Sequence, residues 1–131
     1  MHLPAEDRGS AIVEFALVSI LLVMLLLAVL QVGIYLHVRN VVAASAAEGA
    51  RYGANADVGV AGAGPRATDL IRRSLGGRSA AALPCASTQQ AGAGGSTLVA
   101  VRCRGALPVI FAPIGRLLPL DVTARALQEG P

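Results

Sequence analysis

The sequence is poor in the residues that chemistry needs. Histidine stops at His37, tryptophan and lysine are absent, and only four aromatics occur in 131 residues: Phe15, Tyr35, Tyr52 and Phe111. Beyond Tyr52 no histidine is left to serve as base for a nucleophile. The acids there, Asp57, Asp69, Asp121 and Glu129, form no paired motif, and no phosphate-cradling glycine loop follows a strand. An enzyme is therefore not expected, and no cofactor is called for. Beyond Leu36 ten arginines face five acids, a net of +5. They are scattered and lack the interleaved aromatics on which bases stack, which argues against nucleic acid and for solvated faces drawn to acidic neighbours. A metal site would need about two ligands besides the two cysteines, and His2 and His37 lie far off in the chain.

What the sequence has in quantity is apolar residues in one run. From Phe15 to Leu36 there are 22 residues without a charge. As a helix they reach roughly 33 Å, against about 30 Å of bilayer hydrocarbon. One membrane span, residues 10–36, is the reading, with membrane lipid as its surroundings. Glu14 lies at the edge of the run, and an unpaired acid at the bilayer centre costs on the order of 2.5 to 3.5 kcal/mol. A cut between Gly9 and Ser10 would create an ammonium at Ser10, one turn from Glu14. In staggered helices the amine of one copy would meet the carboxylate of the next and neutralise both.

Gly9-Ser10-Ala11-Ile12-Val13-Glu14-Phe15 resembles the G-x-x-x-x-E-[FY] processing motif of type IV pilins. The Glu-Phe pair, the apolar span and the Ala46-Ala47-Glu48-Gly49-Ala50-Arg51-Tyr52-Gly53 block narrow the resemblance to TadE-like pseudopilins of the tight-adherence, or Flp pilus, system. The resemblance implies a minor pilus subunit with leader 1–9 removed by a prepilin peptidase and Glu14 and Phe15 used in assembly. It also implies other pilins and pseudopilins and an inner-membrane assembly platform as partners. The N-terminus would be cytoplasmic and the C-terminal domain extracytoplasmic. Charge gives orientation little support, since Arg8 stands against Arg39 and Arg51. The alternative is an anchored or secreted disulfide domain outside any polymer, for which Ala43 to Ala47 offers a cleavage-like cluster.

Past the span the helix is expected to run on through 37–54, giving about 40 residues, because nothing from Val38 to Tyr52 breaks it. Tyr35 sits where an interfacial aromatic belongs. Ala46 and the Gly49-x-x-x-Gly53 pair mark a face small enough for another backbone to approach closely. Glu48 is placed to pair with Arg51 or Tyr52.

Residues 55–131 are expected to form one small α+β domain with a thin core. Asn55 to Gly64 reads as a linker. A helix starts at Gly64 and Pro65, carries Ala67, Leu70, Ile71 and Leu75 as a stripe, pairs Asp69 with Arg72 or Arg73, ends at Gly76-Gly77 and covers the sheet. Leu83 to Ser87 is a short strand and Gly92 to Ser96 a turn. Thr97 to Arg104 alternates, placing Thr97, Val99, Val101 and Cys103 on one face. Pro108, Pro113 and Pro119 make Val109 to Leu118 a loop with an apolar patch at Val109-Ile110-Phe111, before a closing strand from Leu120 to Ala126. The expected sheet is therefore antiparallel with two or three strands. Cys85 and Cys103 close a loop of 19 residues, and a disulfide there would contribute roughly 3 kcal/mol to so small a core. Free buried thiols are the alternative.

Overall fold

A computed structural model describes residues 6–108 and 117–130, with side chains for 9–107 and 118–130. Its first element, α1, is one helix from Glu6 to Ala54. At 1.5 Å per residue its 49 residues reach about 73 Å. It includes four residues before the expected Ser10, and Arg51 in its last turn suits the negative end of the helix dipole.

A 3-10 turn, Val60–Gly62, leads into α2, Ala63–Leu75. Pro65 falls in the first turn of α2, where its missing N–H costs nothing. Gly76 ends the helix with φ at 89°, its N–H on the Arg72 carbonyl at 3.0 Å. Asp69 pairs with Arg73 at 3.0 Å. The expected linker is not loose at its end: Ala63 and Gly64 are buried and Val58 to Val60 half-buried. A short helix, α3 (Gly77–Ala82), follows and has no clear periodic signal in the sequence.

Three strands make one antiparallel sheet in the order β1-β2-β3: β1 Cys85–Ala91, β2 Thr97–Pro108 and β3 Leu117–Leu127. The first begins later and runs longer than expected, with Leu83 buried in the core before it. The turn between β1 and β2 has Gly94 and Gly95 at positive φ. The β2–β3 register runs from Leu98 opposite Leu127 to Pro108 opposite Leu117. Prolines 108 and 119 therefore do not break the stretch; they sit inside strands. β3 is an edge strand, and β2 has no β1 partner beyond Arg102 and Cys103, so at these ends a missing N–H is tolerated. Leu117 and Leu118 belong to β3. The expected patch at Val109-Ile110-Phe111 lies outside the described residues.

The core lies between the sheet and the last third of α1. Its members are Val42, Ala46, Ala50 and Ala54 from α1, Ala63, Ala67 and Ile71 from α2, Ala80, Leu83, and Val99, Val101, Cys103 and Leu120 from the sheet. The element expected to cover the sheet was α2. Instead α1 lies along β2 and β3, while α2 packs beside it against α1 and β1. The reason is steric. A Cβ on Gly49 would stand 2.6 Å from the Ala63 carbonyl oxygen and 2.8 Å from the Ala67 Cβ, and one on Gly53 would stand 2.5 Å from the Ala63 Cβ. Only hydrogen at these two positions lets α1 and α2 come so close.

Candidate functional site

Two surfaces of α1 carry the residues singled out by sequence. The first is its N-terminal half. Apart from the half-buried Leu27 and Ile34, the Leu, Ile, Val and Met side chains from Ile12 to Leu36 are turned outward, and the most apolar window of the helix has 0% of its residues buried. Ile12 is 71% exposed and Phe15 is 75% exposed. A bare apolar helix of this length is not stable in water, since monomeric soluble proteins seldom expose contiguous apolar patches beyond a few hundred Å². It is long and apolar enough to cross a membrane, which is compatible with a single-pass anchor.

Gly9, Ser10, Val13, Glu14, Leu17 and Val18 line one shallow concavity on this bare helix. The backbone passes from Gly9 to Ser10 as unbroken helix, and nothing lies within 4 Å of where a Gly9 Cβ would be. Glu14 is exposed on the apolar surface, and none of the ion pairs among the described residues includes it.

The second surface is turned inward. Ala46, Gly49 and Gly53 are all buried against the chain's own α2 and sheet. Their partners Ala63 and Ala67 repeat the same spacing of four, a signal the sequence carried and which reading each helix alone overlooks. Glu48 is exposed and forms no ion pair with Arg51 among the described residues. Tyr52 instead lies under the Arg66 guanidinium, 5.4 Å from ring centroid to carbon, a cation–π contact that no spacing rule announces. Tyr35 does more than mark an interface: its hydroxyl donates to the Pro119 carbonyl at 3.2 Å, tying α1 to the start of β3.

Cys85 and Cys103 are disulfide-bonded and directly opposite each other across β1 and β2, with their Cα atoms 4.0 Å apart. They staple the end of the β1–β2 hairpin remote from its turn. On the outer sheet face Arg102 donates to both carboxylate oxygens of Asp121, one at 2.9 Å, and Arg104 approaches the same group at 3.5 Å. The Arg102 hydrogen bond holds the Asp121 carboxyl below its ordinary range, with the charges of Arg102 and Arg104 adding to it and desolvation opposing. Among the described residues no group of three or more His, Cys, Asp or Glu is placed to hold a metal ion.

Compared with known families, residues 9–51 match the model described as TadE-like protein. The similarity to TadE-like proteins is confined to that stretch. The TadE-like stretch covers the bare helix and the first part of its packed continuation, and stops at Arg51, before α2 and the sheet begin. No curated protein and no solved structure matches the chain.

Proposed function

We propose that this chain is a minor pseudopilin-type subunit for assembly of tight-adherence pili, cut by a prepilin peptidase between Gly9 and Ser10. The observation that carries the reading is Glu14: an acid with no ion-pair partner among the described residues, held on an otherwise bare apolar helix four residues after the glycine-serine pair. An isolated anchor gains nothing from that carboxylate. In a bundle of such helices the Ser10 ammonium of a neighbour would neutralise it, so each subunit recruits the next through one buried charge pair. The partners in this reading are the peptidase, other pilins and pseudopilins, and the inner-membrane assembly platform, with the N-terminus cytoplasmic and the sheet extracytoplasmic. The role is structural, and the family match over residues 9–51 supports it.

The test is mass mapping of the N-terminus in protein extracted from membranes, together with crosslinking to partner pilins. The expected mature N-terminus is Ser10, and Gly9→Val should leave the leader attached. A mature N-terminus near Ala47 would instead make the chain a secreted disulfide domain and end the pilus reading.

A further inference from the structure

Two contacts fix how the sheet stands against α1. Near one end the Tyr35 hydroxyl meets the Pro119 carbonyl at 3.2 Å, and at the other the Glu129 N–H meets the Ala54 carbonyl at 3.0 Å. Between them lie about 28 Å of helix and about 33 Å of strand, so β3 runs beside α1 with its beginning toward the apolar half. Pairing continues two residues below Pro119, to Pro108 opposite Leu117. At about 3.3 Å per residue that carries the ribbon roughly 7 Å lower, to the height of Gln31. In agreement, Gln31, Ile34, Tyr35 and Val38 are half-buried on the helix face below Val42, as is Leu27 one turn lower, while Val32 and Leu36 are exposed.

Charge stops at one height on both elements. On α1 the first charged residue after the uncharged run is Arg39, about one turn above Tyr35. On the ribbon the last charges among the described residues before its end are Arg104 and Asp121, paired opposite each other two residues above Ala106 and Pro119. From Gly105 to Leu120 the sequence carries a single charge, Arg116. A domain standing in water would have no reason to lose charge at the same level on helix and sheet.

We propose that the paired end of β2 and β3, around Ala106, Leu107, Leu118 and Pro119, is a second membrane contact. It is seated in the phospholipid interface of the leaflet that α1 leaves, with Arg39 and Arg104 at the height of the phosphates. The inference rests on reading α1 as a membrane span and is independent of the pilus role. Its consequence is a domain that leans on the bilayer at two points and holds a fixed tilt, because the helix entering the lipid is the same helix that forms the core.

The absence of tryptophan makes the test direct. Single-tryptophan variants of the full chain are placed in phosphatidylcholine–phosphatidylglycerol vesicles containing lipids brominated either near the headgroup or near the bilayer centre. Val23→Trp reports the span and Leu127→Trp the far end of the sheet. Ala106→Trp and Pro119→Trp, opposite each other on the outer face, report the contact. The expected result is loss of Ala106→Trp and Pro119→Trp emission chiefly with the shallow quencher, loss of Val23→Trp emission chiefly with the deep one, and none for Leu127→Trp. If both ribbon reporters stay as bright as Leu127→Trp while Val23→Trp is quenched, the contact is overturned and the span stands. If Val23→Trp is itself unquenched, it is the span reading that falls.

Discussion

One helix, α1, has two halves that follow opposite rules. Residues 9–36 present large aliphatic side chains outward and bury none of them; residues 42–54 bury Val42, Ser45, Ala46, Gly49, Ala50, Gly53 and Ala54 in a row that returns every three or four residues. Hydropathy does not account for the difference, because the half with the larger apolar side chains is the bare one. Size does. Small residues let α2 and the sheet of the same chain come within backbone contact, and every contact they make is spent inside the molecule. Large residues leave the proximal half without a packing partner among the described residues, a surface compatible with a membrane anchor. The helix is thus both the core of a folded domain and an unpartnered surface, with the change near Tyr35.

That division predicts that substitutions in the two halves have separable effects. The largest concerns Glu14. Glu14→Ala protein should be made, inserted and cut at Gly9 with its sheet domain unaltered, yet fail to crosslink to partner pilins or support piliation. Leaving a neighbour's ammonium unpaired in low dielectric costs about 3 to 5 kcal/mol. Glu14→Asp should be intermediate, since the charge remains one methylene short. Normal piliation from the alanine variant would remove the physical basis of the assembly reading.

In the distal half the effects should reverse, with stability lost and the charge at Glu14 untouched. Opening the Cys85–Cys103 staple by Cys103→Ser should destabilise the sheet by roughly 3 kcal/mol on the chain-entropy account. The measure is the unfolding midpoint in detergent, with nonreducing peptide mapping of the parent to verify the link. Ready alkylation of both thiols in unreduced native protein would contradict it. A step smaller is Gly53→Ala, which forces a Cβ to 2.5 Å from that of Ala63 and should cost about 1 to 3 kcal/mol. Adding Ala63→Gly removes the opposing methyl and should recover part of the loss. Gly33→Ala, with nothing within 4 Å, should leave the domain unchanged. Helix propensity alone favours alanine at both positions, so a gain of equal size at Gly33 and Gly53 would show that contact with α2 does not govern Gly53.

Much of this was legible in the sequence, for reasons that also mark where legibility ends. A 22-residue uncharged run, a stripe at helical spacing in α2 and strict alternation at Val99, Val101 and Cys103 are local patterns, and each produced the element it announced. Which helix lies on the sheet is not local. The stripe in α2 suggested that α2 covers it, but the Gly49–Gly53 face allows α1 to take that place and moves α2 to its side. Pro108 and Pro119 misled because proline rules are written for central strands, whereas here the register puts both where no further strand pairs. At the candidate site, Gly9, Ser10 and Glu14 were legible as a spacing. The Tyr35–Pro119 bond was not, since it joins residues 84 apart in sequence.

The smallest predicted effect lies on the outer sheet face and concerns the stability of the domain in detergent. Asp121 accepts two hydrogen bonds from Arg102, whose side chain is 51% exposed against 41% for the acid. Solvent screens such a pair, so its contribution is slight. Its sign is nevertheless fixed. The folded carboxyl binds a proton less readily than the unfolded one, chiefly through the Arg102 hydrogen bond. The contribution is therefore complete above the ordinary aspartate range, about pH 4, and is lost as pH falls through the lower folded value. Asp121→Asn should melt slightly below the parent at neutral pH, and the two curves should converge as the solution is acidified past that range. Calorimetry in detergent across the acid limb is the measurement. A gap that stays constant or widens on acidification would mean that Asp121 acts through packing rather than charge.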